Sequence, residues 1–268
     1  PDQQIKLIQL RADILLVNSG PAETEKYLLD QLKPHMNSIP GFHTMLAFHL
    51  NHDQKAKALN LLDKWLSNHP DDLNTLIDKG HLLTMLQRYD EAVEVFESGL
   101  PRANSQEKPN LISLIAGTYA EKGNFGLALQ NIDDAIGRTG ADKFKFQKAQ
   151  IYQLMAKHED AISIFTELIE NGIQVRDVYS HRANSYMATK QYDDAKADYE
   201  KLQAFYPDAP GIYLNLAQIA EAKSHSAEAL KNYELYLKYA DPESIPVEEM
   251  QPVQTRVKQL KQLQGDTP

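Results

Sequence analysis

Cysteine is absent from the 268 residues. That excludes disulfides, thiolate metal sites and cysteine nucleophiles together, and leaves the compartment open. Glycine and proline are scarce, 12 and 13 residues, which excludes collagen-like and low-complexity classes. No uncharged apolar run approaches the ~18 residues of a membrane helix, and no signal peptide is visible. Positive charge is in deficit: 28 Lys and Arg face 37 Asp and Glu, a net of −9. Such a chain is a poor binder of nucleic acid, where phosphate neutralisation dominates affinity, and of anionic lipid. GxGxxG and Walker phosphate loops and the GxSxG elbow are also missing. What remains is 42% hydrophobic and 24% charged, a globular composition. The chain begins at Pro1 rather than Met, so a leader or an upstream domain is expected to have been removed.

A repeat runs along the whole length. Its anchor is an alanine slot at Thr24, Ala58, Ala92, Ala128, Ala161, Ala195 and Ala229, a period near 34 residues. Twelve residues earlier stands a small residue, at Ala12, Gly80, Ala116, Ala149, Ala183 and Ala217. Leu46 departs from this, and a slide of one residue would offer Ala47 instead. Four residues after the anchor comes a large one: Leu28, Leu62, Phe96, Ile132, Phe165, Tyr199 or Tyr233. The apolar spacing i, i+3, i+4, i+7 predicts two amphipathic helices per unit. Small residues on both would let their axes approach closely. Pro40, Pro70, Pro109, Pro207, Pro210 and Pro242 fall at joints, where helices can stop without losing ladder bonds.

This pattern resembles the tetratricopeptide repeat in length, small-residue slots and closing proline. The resemblance covers about residues 5–242 and is most specific over 73–240. It implies an all-α fold, a right-handed α-solenoid superhelix of seven helix-turn-helix repeats with a concave groove lined by first helices. The repeats are expected near 5–38, 39–72, 73–106, 109–141, 142–175, 176–209 and 210–242, within a solenoid over 1–242. Residues 243–268 are expected to form a capping helix and tail. Pro252 is expected to open that helix, with Val253, Val257, Leu260 and Leu263 on one stripe, because a solenoid's last repeat needs a cover. Trp65 lies off the motif's tryptophan position. Lys145 occupies that position in the fifth repeat, between Phe144 and Phe146, leaving the register there open by one residue.

Candidate chemistry is sparse. His158-Glu159 begins like HExxH, but Ile162 stands where the second histidine belongs. His49 and His52, near His43, lack the further ligands of a metal site. Paired acids such as Asp133-Asp134 and Asp193-Asp194 read as a solvated outer face. No enzyme, cofactor or metal is therefore expected. The family's groove positions carry over to Ile77, His81 and Thr84; Ser113, Gly117 and Ala120; Phe146, Gln150 and Gln153; Ser180, Asn184 and Met187; and Leu214, Gln218 and Glu221. Amides and hydroxyls of this set can pair with a peptide backbone. Gln150 and Asn184 are expected to serve binding without serving stability. Phe146, Ser180 and Leu214 stand where a basic clamp for acidic chaperone tails would place lysines, so such a clamp is not expected.

The expected function is a non-enzymatic scaffold that binds protein or peptide partners, with no nucleic acid and no membrane insertion. Bacterial proteins that look like this serve envelope assembly: secretion, pilus biogenesis or polysaccharide export. A periplasmic or envelope setting is favoured over a cytosolic adaptor, and a helical-repeat RNA binder is the rival class. The first helix is apolar on more than one face. Leu7, Leu10 and Val17 are expected to pack on an upstream repeat or, failing that, on a second copy of the chain in a homodimer.

Overall fold

The computed structural model describes residues 2–265. Among them every regular element is helical: fourteen α-helices and one 3-10 turn. The chain forms two compact units that divide after Thr139.

In the first unit, α1 (Asp2–Leu32) is two helical halves broken at Gly20, whose φ is 79°. A 3-10 turn (Lys33–His35) follows, then α2 (Ile39–Asn51), α3 (Lys55–Asn68), α4 (Leu73–Met85), α5 (Tyr89–Gly99), α6 (Lys108–Glu121) and α7 (Phe125–Thr139). Pro40 and Pro109 sit in the first turns of α2 and α6, where no partner for an N–H is missed. Ser38 caps α2 through Gly41. Asp72 caps α4 through Thr75 and also accepts the Trp65 indole N–H at 2.8 Å. Trp65 stacks between Phe42 and His69.

The second unit holds α8 (Asp142–Leu154), α9 (His158–Glu170), α10 (Arg176–Ala188), α11 (Tyr192–Phe205), α12 (Pro210–Ala222), α13 (Ser226–Tyr239) and α14 (Val247–Gly265). In both units each helix packs chiefly on its neighbours in sequence, the contact pattern of an α-solenoid.

The alanine slot explains the pairing. All seven anchors are buried, six of them with no exposure at all. The residue twelve earlier, small in all repeats but the second, is buried in every repeat. At Gly80 an added Cβ would lie 2.3 Å from the Phe96 ring, so glycine alone fits that crossing. In the second repeat Leu46 is buried while Ala47 is exposed, so no slide occurs. In the fifth, Phe144 and Ala149 are buried and Lys145 turns out to Glu167 at 2.6 Å. That fixes the register between the two phenylalanines.

The turn inside each of repeats two to seven is also the same. Seven residues after the small position comes a left-handed residue: Asp53, Gln87, Gly123, Ala156, Lys190 or Ser224. The next residue donates its N–H back five positions, as in Gln54 to His49 and His225 to Ala220, at 2.8–2.9 Å. Its carbonyl accepts the anchor alanine's N–H. One residue thus closes the first helix in a Schellman motif and opens the second. Side-chain pairs link successive repeats at these turns, among them Glu25–Lys57, Asp90–Lys122 and Asp193–Lys223. The Asp90–Lys122 and Asp193–Lys223 pairs, with exposed carboxylates, add little stability.

Two expectations at the C-terminal end are corrected. The last helix opens at Val247, five residues before Pro252, with Glu248 and Glu249 in its first turn, where acids suit the helix dipole. Its buried stripe is Met250, Val253, Val257 and Leu260, while Leu263 is exposed. That stripe shares one core cluster with Leu230, Tyr233 and Tyr236 of α13.

Two predictions follow from the crossing and the turn. Ala195→Leu overfills a site without space and should cost about 1–3 kcal/mol, whereas Asp194→Leu at an exposed site should change stability by less than about 0.5 kcal/mol. Urea unfolding of both variants would check this, and an unchanged Ala195→Leu would refute the packing. Ala156→Gly should stabilise by about 1 kcal/mol and Gly123→Ala destabilise by a similar amount, because only glycine adopts the left-handed conformation without a Cβ clash.

Candidate functional site

The two units expose first-helix faces of different character. In the first unit Ile77 and Ser113 are half-buried and His81 is exposed, its ring edge-on to Phe96 at 5.7 Å. Thr84 is half-buried and donates to the Gly80 carbonyl. Two cavities open here. One, about 310 Å³, lies between α1 and α2 and is lined by Gln9, Asp13, Leu16, Thr44, Ala47 and Phe48 among others. The second, about 190 Å³, lies between α2 and α4. Leu46, Leu50, Leu62, Leu82 and Met85 line it, with Asp78 and His81. Burial pushes the Asp78 carboxyl above the ordinary carboxylate range, and the imidazoles of His43 and His81 act against that rise.

Sequence reasoning missed Gln9, Asp13, Leu50, Asp78 and Met85. The signal was present: Gln9, Asp13 and Leu50 stand at the same offsets from the small residue as Ile77, His81 and Thr84. Extending the offsets into the first two repeats would have found these three, while Asp78 and Met85 fall off the offsets.

In the second unit most of the expected polar groups are already engaged. Gln153 donates to the His181 carbonyl and to Ser185 Oγ, and accepts from His181 Nδ1. His181 lies among Phe146, Phe165 and the glutamines, and burial holds its imidazole below the ordinary value. Asn184 accepts the Tyr199 hydroxyl at 2.6 Å. Glu221 accepts Tyr233 at 2.6 Å and Arg256 at 2.5 Å. Arg182 makes a bidentate pair with the buried Asp198 at 2.7 and 2.9 Å and reaches Thr166. Phe146, Ser180, Met187 and Leu214 are half-buried; Gln150 makes one long contact, 3.4 Å, to His181. Gln218 alone of the expected set in this unit is exposed without a described side-chain hydrogen bond.

Leu7, Leu10 and Val17 are 48%, 58% and 86% exposed, in line with Ile14 on one stripe of α1. The slots equivalent to Leu7 in the other repeats, from Gly41 and Thr75 to Ile212, are all buried.

Among the described residues no three His, Asp or Glu side chains come together as a metal-holding group. His49 is buried against Gln54 at 2.6 Å and His52 packs on Phe48. No described helix is long and apolar enough to cross a membrane.

Residues 181–245 match the tetratricopeptide repeat family. No curated protein sequence matches the chain. Solved structures share its fold. A tetratricopeptide repeat protein from Parabacteroides merdae is 15% identical, over 96% of this chain and 99% of that one, with a TM-score of 0.64. Yeast Tom70 is 15% identical, over 97% of this chain and 54% of that one, at 0.69. PilW, a type IV pilus biogenesis factor, is 17% identical, over 76% of this chain and 94% of that one, at 0.56.

The Asn184–Tyr199 bond reverses the expectation that Asn184 is free of structural duty. Asn184→Ala should cost about 1–2 kcal/mol by leaving a buried hydroxyl without a partner, and Gln150→Ala about 0.5 kcal/mol or less. Burial raises the Tyr199 phenol from its usual ~10 to about 12. The folded state therefore holds that proton where the unfolded state loses it. This stabilisation is complete below about pH 10 and should vanish as pH rises to about 12, a fall that Tyr199→Phe should lessen in alkaline unfolding curves.

Proposed function

We propose that this tetratricopeptide-repeat protein is a non-enzymatic scaffold that holds a protein or peptide partner against the first helices of its repeats. The observation that carries the reading is the pair of open cavities on the first unit's first-helix face, lined by leucines, Met85 and two aspartates. The second unit's face supports binding less, because Gln153, Asn184 and Glu221 already hold their own helices together. We therefore assign the docking surface to Asp13, Ile77, Asp78, His81 and Met85 rather than to the amides of repeats five to seven. The net charge of −9 speaks against the RNA-binding alternative. For the cellular setting we favour assembly in the bacterial envelope over a cytosolic adaptor; PilW, a type IV pilus biogenesis factor, shares the fold.

A photo-crosslinking side chain at Met85 should capture a discrete partner, whereas the same group at exposed Glu94 on α5 should capture none. Equal capture from both positions would move binding to the second helices. A salt-sensitive shift of RNA by the protein would revive the nucleic-acid reading.

A further inference from the structure

We propose that the cavity between α2 and α4 takes an aliphatic side chain of a partner peptide while Asp78 at its rim takes an adjacent Lys or Arg, so that the ligand is a basic, hydrophobic segment. This rests on the scaffold reading and names its ligand class. The cavity's volume, about 190 Å³, lies below the ~300–1,000 Å³ of pockets that enclose small molecules, and is of the order of one aliphatic side chain. Five of its seven lining residues are leucine or methionine. Leu50 and Met85 remain 42% and 66% exposed beside it, apolar area that a ligand side chain would cover.

Asp78 supplies the sign of the charge. It makes no described hydrogen bond or ion pair, although its unit is rich in cations. Lys79, the next residue, turns to Asp63 at 2.7 Å; Arg88 is held by Glu91 and Lys57 by Glu25. The groups that act on Asp78 are His43 and His81, with Asp72 adding repulsion. A carboxylate partly withdrawn from water and without a cation attracts one and repels a second carboxylate. The neighbouring cavity repeats the arrangement: Asp13 lines it and likewise has no described hydrogen bond or ion pair. Two successive cavities thus each join apolar surface to an unpaired aspartate, a pattern that favours alternating Leu and Lys.

The test is a methyl NMR titration of the intact protein with three acetylated, amidated octapeptides of alternating Leu-Lys, Leu-Glu and Ser-Lys. The Leu-Lys peptide should move the methyls of Leu46, Leu50, Leu82 and Met85 saturably. The Leu-Glu and Ser-Lys peptides should bind about tenfold more weakly or not at all. Asp78→Asn, near-isosteric and at an exposed residue, should weaken Leu-Lys binding about three- to fivefold, the worth of one partly solvated ion pair, and leave Leu-Glu unchanged. A thermal melt confirms that the variant is folded. Equal binding of Leu-Lys and Leu-Glu at these methyls would overturn the charge assignment and leave the scaffold reading intact. Shifts confined to α3 and α5 would overturn both, and no shift with any peptide would overturn the inference while Met85 crosslinking still judged the scaffold.

Discussion

Everything in this molecule depends on how closely two helices can approach inside each repeat. The buried anchors, Thr24 and the six alanines from Ala58 to Ala229, leave no room for a longer side chain. Across from them stand Ala12, Gly80, Ala116, Ala149, Ala183 and Ala217. Close approach sets where the large residue four positions on must go, which fills the core with Phe96, Phe165, Tyr199 and their equivalents. It also sets the direction of the first-helix face, since the residue one beyond the small position is turned outward, exposed at Asp13, Ala47, His81, Asn184 and Gln218. Packing and binding surface are therefore two readings of one helical phase.

That phase was legible in the sequence because a crossing tolerates so few residue types. The period alone located the pairs, and the two irregular copies resolve on physical grounds. Leu46 stays in the slot because a one-residue slide would turn the buried Phe42 and Met45 out of the core, and Lys145 keeps the register because its ammonium can reach Glu167. The sequence was silent on who uses the polar groups. Gln153 finds Ser185 and His181 from the next repeat, and Glu221 finds Arg256 thirty-five residues on. Such partners depend on how one repeat stacks on another, which a within-repeat pattern does not encode. The start of α14 was misread for a related reason. Proline tolerates a helix's first turn, so Pro252 suggested a beginning, but buried Met250 extends the helix back to Val247.

The two units have answered the same question differently. The second unit ties its first helices to their neighbours through Arg182–Asp198, Asn184–Tyr199 and the His181 cluster. Buried polar networks of this kind are stable only when each member is satisfied, so they leave little capacity for a ligand. The first unit leaves Asp13, Asp78 and His81 outside such networks and keeps cavities beside them. Stability and recognition are separated along the chain rather than across the faces of one domain.

The short reach of the contacts also bears on how the chain comes into being. Side-chain hydrogen bonds among the described residues reach about one repeat along the chain, as Gln9 to Thr44 and Arg256 to Glu221 do across 35 residues. A helix pair emerging from the ribosome therefore waits for only one further repeat before its contacts are complete. Synthesis at ~5–20 residues per second is slow beside the microseconds to milliseconds in which local helical contacts form. Each repeat can settle before the one after next exists, so the order of translation becomes the order of assembly. Little apolar surface then stays open for long in front of chaperones or neighbouring chains.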